Sequence, residues 1–574
     1  MMKLGQGKPG MWIAAATIAG IGLGGLVYWY TRSIQGGDPG DRLWGAVDLV
    51  PNQALMAGYV STRPEPWQGD TGSAALAPLQ GALAQWESQW LTPRNLSYDQ
   101  DIQPWLDGVM VSILPPTAVR QEGQLNLLLL LGVRDPLKAK ALVGKLEGQP
   151  GTTVSREEYQ GVEVTTWSQG DLTLYSALLG SYVAVSPERQ SVERAIDTAQ
   201  GADSLRDQPE AAEALRGSLT LENPTLQMYI PDYGGLINQL LVASPQAAPL
   251  PPDSLAQLEQ FSGLTVGLEV TPEGLHVQGV VKVDPETETL AFEPATGDLL
   301  DYLPGGTTAL LSGRNLGSLW QAYQEQATAN PQLKVGFDNL RQRFQEFGLD
   351  PDQDLFRWMT GEFALATLPT TSGILKQLGF GVALVLDSSD RPTTEQTLDK
   401  LDRLAERSNL QVQESTTAGG QPLVQWILPQ GFFQNEVLLG HGWLDGDSVF
   451  VALGGGTVEA LTTLPDSSLA QDPIFKATTA PLPDQNSGYF YVNVASGLGQ
   501  LQGSPLLGAM AQLPEGAEGT VNLLQSVAMT TTQRDRHTNQ VDAFVVLSSG
   551  SPPATPAPAP SAAPSIAPSI APSP

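Results

Sequence analysis

Residues 99–108 of the chain read DQDIQPWLDG and residues 352–361 read DQDLFRWMTG, so that a Trp and a Gly keep the same places in both segments. The same offset of 253 residues (352 − 99 and 301 − 48) relates DLVPNQALMAGYVSTRPEPWQ at 48–68 to DYLPGGTTALLSGRNLGSLWQ at 301–321. A fixed spacing between similar segments indicates an internal repeat. The sequence therefore predicts two tandem homologous repeats, at residues 43–295 and 296–549.

Around these segments, each half alternates between apolar strands and amphipathic helices. NLLLLLGVRD followed by PLKAKALVGKLEG in the first half corresponds to GFGVALVLDSSD followed by TEQTLDKLDRLAERS in the second. Pro136 suits a helix start, Asp387 and Asp390 suit helix caps, and Asp445-Gly446 suits a hairpin turn. Short strands with apolar and polar residues in alternation are typical of antiparallel sheets covered on one face. We therefore predict an α+β fold with mainly antiparallel sheets.

Tryptophans recur at equivalent places in the two halves, as Trp105 with Trp358 and Trp167 with Trp426. Such rings would suit either stacking on a carbohydrate or hydrophobic ligand, or packing inside the fold. Their recurrence beside apolar neighbours favours core packing in each repeat.

An uncharged apolar run, MWIAAATIAGIGLGGLVYWY at residues 11–30, precedes the first repeat. A helix of about 20 residues spans the ~30 Å hydrocarbon core of a bilayer, and aromatic residues favour both interfaces. The bulky residues that end the run disfavour a cleaved signal peptide. Because Lys3 and Lys8 precede it, we predict a cytoplasmic N-terminus at 1–10, a transmembrane helix at 11–31, a linker at 32–42 and a periplasmic or thylakoid-lumenal ectodomain.

Small residues at Ala16, Gly20 and Gly24 form a small-xxx-small stripe within this segment. Such a stripe lets two membrane helices approach closely, so it is compatible with a homodimer. Glycine and alanine are common in membrane helices in any case. The stripe therefore leaves the oligomeric state open.

Composition excludes several functions. The chain has 60 acidic and 30 basic residues and a net charge of −30, which argues against binding to nucleic acid or to an anionic lipid surface without assistance. It has no cysteine, which excludes disulfides, thiolate metal sites and cysteine nucleophiles. Residues 550–574 contain little besides Pro, Ala and Ser. That composition favours a disordered tail rich in polyproline II over a specific proline-recognition ligand.

Two motifs superficially resemble active sites. The glycines before Thr457 would place backbone amides at a helix N-terminus, but no P-loop lysine accompanies them. Residues 70–73, DTGS, resemble the aspartic-protease tetrapeptide, whose chemistry needs a partner carboxylate, and no second such tetrapeptide occurs in the chain to supply it. We interpret both as ordinary turns or helix starts.

Metal and nucleophile sites are no better supported. Asp350, Asp352 and Asp354 alternate as in a calcium loop, but Leu355 and Gly361 stand where that loop needs Gly and Glu. The repeat aligns Ser97 with Asp350, which favours two helix N-caps. The three histidines, His276, His441 and His537, lack zinc-site spacing, and there is no Gly-x-Ser-x-Gly nucleophile elbow. We therefore predict no catalytic, cofactor-binding or metal-binding residues, no cofactor, and no enzyme activity.

The two DQD segments and the strands and helices that follow them resemble the domain of unknown function 3352 family, which is typical of cyanobacteria. The resemblance covers roughly residues 44–547, and its motifs are structural. It implies an architecture, a cyanobacterial source and an extracytoplasmic location, but it supplies no functional residue.

The leading functional hypothesis is a non-catalytic ectodomain, anchored in the bilayer through residues 11–31, that binds a protein or envelope partner. The alternative is a carrier or sensor of a lipid or small hydrophobic ligand. An uncharacterised enzyme is the third.

Overall fold

The computed structural model describes residues 39–61, 87–88, 91–115, 125–170, 172–243, 261–284, 292–329, 331–429, 435–463, 467–501 and 524–547. The predicted membrane segment 11–31, the DTGS tetrapeptide 70–73 and the tail 550–574 lie outside these residues. Within the described ranges, no helix is both long enough and apolar enough to span a bilayer.

The first half of the described chain runs to residue 284. Its α-helices are α1 (Pro39–Val47), α2 (Pro136–Glu147), α3 (Arg189–Ala199), α4 (Pro209–Gly217) and α5 (Tyr233–Ala243). Its strands are β1 (Met56–Val60), β2 (Leu106–Ile113), β3 (Leu127–Val133), β4 (Thr152–Tyr159), β5 (Val162–Gln169), β6 (Leu172–Leu179), β7 (Tyr182–Ser186), β8 (Leu226–Ile230), β9 (Phe261–Val270) and β10 (Gly274–Val283).

The second half begins at residue 292. Its α-helices are α6 (Leu316–Ala329), α7 (Pro331–Glu346), α8 (Arg391–Arg407), α9 (Gly455–Thr462), α10 (Pro473–Thr479) and α11 (Val494–Leu501). Its strands are β11 (Ala309–Arg314), β12 (Glu362–Pro369), β13 (Phe380–Asp387), β14 (Gln411–Thr416), β15 (Pro422–Ile427), β16 (Val437–Trp443), β17 (Ser448–Leu453), β18 (Tyr489–Asn493), β19 (Leu524–Asp535) and β20 (Thr538–Leu547).

Antiparallel pairing joins these twenty described strands into one sheet. The order is β4-β5-β6-β7-β3-β2-β1-β8-β9-β10-β20-β19-β18-β11-β12-β13-β17-β16-β15-β14. Outward from the β10–β20 pair, the two halves have the same succession of strands, each numbered ten higher in the second half. The predicted α+β class with antiparallel pairing is confirmed.

Helices cover both faces of this sheet. On face A, α1, α3 and α4 pack on one core cluster of the first half, and α9 and α10 pack on one of the second. On the opposite face, face B, α2 and α5 cover the first half, and the start of α6 and α8 pack on a cluster of the second half. Helix α11 contacts β18 and β19. This arrangement follows from the alternation of side chains along each strand, because neighbouring residues point to opposite faces.

Helix starts follow local capping chemistry, with one correction. Pro136 begins α2 after the N-cap Asp135, and the Asp390 carboxylate accepts from the Thr393 N–H at the start of α8. Asp387, however, is no cap. It ends β13 and accepts a hydrogen bond from Ser448, so that prediction was wrong because the strand extends further than the capping pattern indicated.

The linker predicted at 32–42 is also partly wrong, since α1 already begins at Pro39. Proline is well suited to the first turn of a helix because its φ is preset and its missing N–H would have no partner there. Helical structure is thus present four residues before the start predicted for the first repeat (43 − 39).

The prediction that the paired tryptophans pack in the core is confirmed for one pair only. Trp105 and Trp358 are buried, and each indole N–H donates to the backbone carbonyl four residues earlier, that of Asp101 or Asp354. Trp167 and Trp426 are only half-buried, so core packing was wrong for them. They lie on β5 and β15, next to the outermost strands β4 and β14. Near the edges of the sheet, fewer residues pack over the strands, so a large ring is less buried there.

Candidate functional site

An apolar row crosses four adjacent strands on face B of the second half. It consists of Leu365, Leu311, Phe490 and Met529, which are register partners from β12 through β11 and β18 to β19. Each side chain is between 38 % and 47 % exposed. Scattered exposed apolar residues are ordinary, but a contiguous group of them marks an interaction site. We call these four residues the apolar row.

A groove of about 270 Å³ lies beside the apolar row. Strands, the start of α6 and the segment before β11 contribute to its wall. It is lined by Phe292, Glu293, Leu311, Ser312, Gly313, Arg314, Asn315, Ser318, Leu319, Phe363, Ser487, Gly488, Tyr489, Phe490, Met529, Thr530, Thr531 and Val541. Its lining is mainly apolar with hydroxyl groups among it, as is typical of binding sites that recognise an apolar group.

Two glycines shape the groove. A β-carbon on Gly313 would lie 3.0 Å from the Phe363 ring, and one on Gly488 would collide with the Ser312 carbonyl. Gly488 also has φ +107°, a conformation that favours glycine. Glycine at both places therefore lets β11 and β18 approach closely at the base of the groove.

The charged residues of the lining neutralise each other. Arg314 Nε lies 3.3 Å from Glu293 Oε2, and the Asn315 side-chain amide donates to Glu293 Oε1 at 3.0 Å. No other charged residue belongs to the described lining. The groove therefore suits an uncharged, apolar occupant.

The corresponding place in the first half is filled. By strand pairing, Gly58 and Met228 correspond to Leu311 and Phe490. Met228 lies over Gly58, where its Cγ would be 3.6 Å from an added β-carbon, and it packs with Leu236 of α5. The second half thus presents larger side chains at the same register, and its helix α11 contacts the neighbouring strands β18 and β19.

A buried polar cluster lies on face A where the halves meet. Asp542 Oδ1 accepts from the Gln278 amide at 2.7 Å and lies 3.1 Å from His276 Nε2, and Asp542 Oδ2 accepts from the Gln540 amide at 2.5 Å. Gln278 and Asp542 are fully buried register partners. The two amide donors pair both carboxylate oxygens, as is usual for buried polar groups, and these contacts connect β10 to β20.

A second histidine–carboxylate pair joins β16 to α8. His441 Nε2 lies 2.8 Å from Asp402 Oδ1, which also accepts from the Trp426 indole at 2.7 Å. At the corresponding register of the first half, Trp167 donates to the Ser176 hydroxyl at 2.8 Å. Both arrangements tie a half-buried tryptophan to its neighbours.

The aspartates of the DQD segments have structural partners. Ser97 and Asp350 both cap the following turn, as predicted, because their side chains accept from backbone N–H groups. Asp352 accepts from the Trp320 indole and pairs with Arg341, while Asp354 pairs with Lys400 at 2.5 Å. Among the residues that the structure describes, no group of three His, Cys, Asp or Glu residues is arranged to hold a metal ion.

Comparison with known proteins identifies the family. The model of the family described as protein of unknown function (DUF3352) matches residues 12–547. The chain belongs to the DUF3352 family. The resemblance found in the sequence is thereby confirmed, whereas the cyanobacterial source stays a prediction. No curated protein matches this DUF3352 chain at a significant level.

Solved structures give only distant likenesses to this DUF3352 protein. Crystal form III of TP0453 matches with a TM-score of 0.26 at 13 % identity, over 44 % of this chain and 83 % of that one. Crystal form IV of TP0453 matches with a TM-score of 0.24 at 14 % identity, over 42 % and 83 %. Likenesses at this level support no conclusion about fold or function.

Two carboxylates of this DUF3352 chain, Glu362 and Asp387, lie near the groove. Glu362 is buried and accepts from the Thr296 hydroxyl at 2.8 Å and from the Gly297 N–H at 3.1 Å. Burial raises the pKa of the nearby Asp387, the hydrogen bond from Ser448 opposes this, and the charge of Glu362 adds to the rise. A group whose pKa is raised in the folded state stabilises the fold at pH values below its unfolded-state pKa. This stabilisation is lost as the pH rises through its folded-state pKa.

We therefore expect Asp387→Asn to raise the urea midpoint at pH 7, because it removes a disfavoured charge and keeps an acceptor for Ser448. The gain should vanish as pH falls below the ordinary aspartate value. Asp390→Asn is the matched control, and its effect on the urea midpoint should have the opposite sign, because hydrogen bonds from Thr393 lower the pKa of Asp390. Asp390→Asn should lower the urea midpoint at pH 7 and should leave it unchanged in acid. Urea titrations from pH 3 to 7 test both, and equal responses of the two variants would contradict the assignment.

Proposed function

We propose that this protein is a non-catalytic, membrane-anchored ectodomain that binds a partner protein through the apolar row and its groove. The observation that carries the proposal is the contiguous exposure of Leu365, Leu311, Phe490 and Met529. Apolar side chains held on a rigid sheet provide the desolvated centre that protein interfaces need. Removing them from water contributes roughly 25 cal/mol per Å² of buried apolar area.

A lipid or small hydrophobic ligand is the second candidate, because the groove has no unpaired charge. Its volume of about 270 Å³ is just below the roughly 300–1,000 Å³ of small-molecule sites. A groove of that size fits one or two inserted side chains better than it encloses a whole lipid. Native mass spectrometry of the full chain separates the candidates, since a carrier retains a small molecule of defined mass.

Site-specific photocrosslinking in the native membrane tests the partner proposal. A benzophenone amino acid at Phe490 should give a discrete protein adduct, because the partner contacts this ring. The same probe at Phe347, another exposed phenylalanine on the loop after α7, should give none. Adding Met529→Ser should remove the Phe490 adduct by shrinking the apolar row. No adduct at Phe490, or equal adducts at both positions, would refute the proposal.

The proposed location is the periplasm or thylakoid lumen, with residues 11–31 as the anchor. The support is the length of the apolar run and the lysines before it. A reporter enzyme that works only outside the cytoplasm, fused after Ala554, should be active. The same reporter fused after residue 10 should be inactive, and activity of the second fusion alone would reverse the topology.

We also propose that the two halves arose by duplication. The shared offset of 253 residues and the matching succession of strands support it. Under this proposal, the difference between Gly58 and Leu311 at the same register is a later change that created the binding surface of the second half.

A further inference from the structure

We propose that the proline-rich tail of this chain, residues 551–574, occupies the apolar groove as a polyproline II segment. The tail lies outside the described residues, so its sequence and the position where the described chain ends carry the argument. The inference needs no external partner and therefore goes beyond the proposed function.

The chemistry of the tail fits that of the groove. The tail reads SPPATPAPAPSAAPSIAPSIAPSP and contains no charged residue. Proline-rich segments dock in grooves lined by aromatic rings, because the polyproline II helix is preformed and loses little entropy on binding. The groove presents Phe292, Phe363 and Phe490, and its charged pair Arg314 and Glu293 is internally neutral. Hydroxyls of Ser318 and Thr531 in the lining suit the carbonyls that polyproline II leaves unpaired.

The dimensions also agree. Ile566 and Ile570 are the large apolar side chains of the tail. Four residues of polyproline II cover about 12 Å. The apolar row crosses three strand spacings, which at about 4.8 Å each amount to roughly 14 Å. Because polyproline II has three residues per turn, these two side chains point about 120° apart around its axis, so one isoleucine at a time can lie on the row.

The tail also follows β20, a strand that contributes to the lining of the groove. Val541 of β20 lines the groove, and β20 ends six residues later at Leu547, which is about 20 Å away along the strand. The 27 residues beyond Leu547 (574 − 547) extend to about 84 Å as polyproline II. About seven residues suffice for the return, so any part of the remaining tail can reach the groove and insert one or two side chains into it. A tether of this kind gives effective concentrations in the mM range.

Docking of the tail would shield the apolar row from water and compete with an external partner. The full chain would then bind its partner less tightly than a chain that ends after residue 550. The tail thus acts as an internal competitor at the same groove.

Fluorescence anisotropy of a labelled peptide of residues 551–574 tests the proposal. The peptide should bind the chain truncated after residue 550, and it should bind the full chain at least ten-fold more weakly, since the attached tail competes. Phe490→Ser in the truncated chain should weaken binding at least ten-fold, whereas Phe347→Ser, its matched exposed control, should leave binding unchanged. A peptide with Ile566→Ser and Ile570→Ser should also bind at least ten-fold more weakly.

Failure of the peptide to bind the truncated chain, or equal binding to the Phe490→Ser and Phe347→Ser variants, overturns the proposal. Urea midpoints of both variants verify that the fold is retained. Photocrosslinking at Phe490 in the chain truncated after residue 550 decides the partner proposal separately, because the competing tail is then absent. Loss of peptide binding with the adduct retained would reject the tail alone.

Discussion

Replacing Asp542 with alanine is expected to lower the free energy of unfolding by about 3–5 kcal/mol, because it removes one partner of a buried charged network. Asp542 is fully buried and accepts from the Gln278 and Gln540 amides, with His276 Nε2 3.1 Å away. Without the carboxylate, the Gln540 amide loses this acceptor and the Gln278 amide keeps only the Thr220 hydroxyl. A buried donor left without an acceptor costs about 1–3 kcal/mol. The measurement is the urea midpoint of the full chain.

The position of Asp542 makes this effect a test of the junction between the halves. Gln278 and Asp542 each lie four residues after the first residue of their strands, Gly274 and Thr538, and they are partners across the β10–β20 pair. The cluster therefore sits on the axis about which the two halves of the sheet correspond. Its loss should increase hydrogen exchange in β10 and β20 more than in the outermost strands β4 and β14.

Two variants control the experiment. Asp542→Asn keeps one acceptor oxygen and should lose only about 1–3 kcal/mol. Glu273→Ala, in the exposed turn between β9 and β10, should stay within about 0.5 kcal/mol of the native chain. If Asp542→Ala unfolds at the same urea concentration as Glu273→Ala, the cluster does not fasten the junction.

Local features of this fold were predictable from sequence because local chemistry determines them. Asp135 and Pro136 start α2 through capping and a preset φ, and Ser97 and Asp350 cap their turns with side-chain acceptors. Asp445 accepts from the Ser448 N–H and closes the β16–β17 hairpin, as the Asp-Gly pair indicated. In each case the decisive contacts involve residues within a few positions of one another.

The junction and the groove were not predictable from sequence patterns because they depend on distant partners. The Gln278–Asp542 pair joins residues 264 positions apart, and nothing in either strand specifies the other (542 − 278). Leu311 and Phe490 have the alternation of ordinary strand residues, and their exposure depends on which helix covers them. One signal was present in the sequence: the offset of 253 residues pairs Gly58 with Leu311 (311 − 58), which are residues of very different size.

Replacing Trp320 with alanine is the second large effect that we expect, a loss of about 3–5 kcal/mol from the emptied core around α6 and α7. The buried Trp320 ring stacks on Phe356 at 4.4 Å between centroids and contacts Phe337 at 4.9 Å. Its indole N–H donates to Asp352 Oδ1 at 2.7 Å. Because this ring packs between the two helices, hydrogen exchange should accelerate throughout α6 and α7.

Trp320→Phe separates packing from the hydrogen bond. It retains an aromatic ring but loses the N–H donor and part of the indole volume, so the expected loss is about 1–3 kcal/mol, with α6 and α7 still protected from exchange. The neighbouring Ser318 and Leu319 line the groove. Trp320→Ala should therefore also reduce photocrosslinking at Phe490, while Trp320→Phe should preserve it. Equal hydrogen-exchange rates in the two variants would show that the stacked ring does not hold α6 in place. Other contacts would then have to position Ser318 and Leu319 in the wall of the groove.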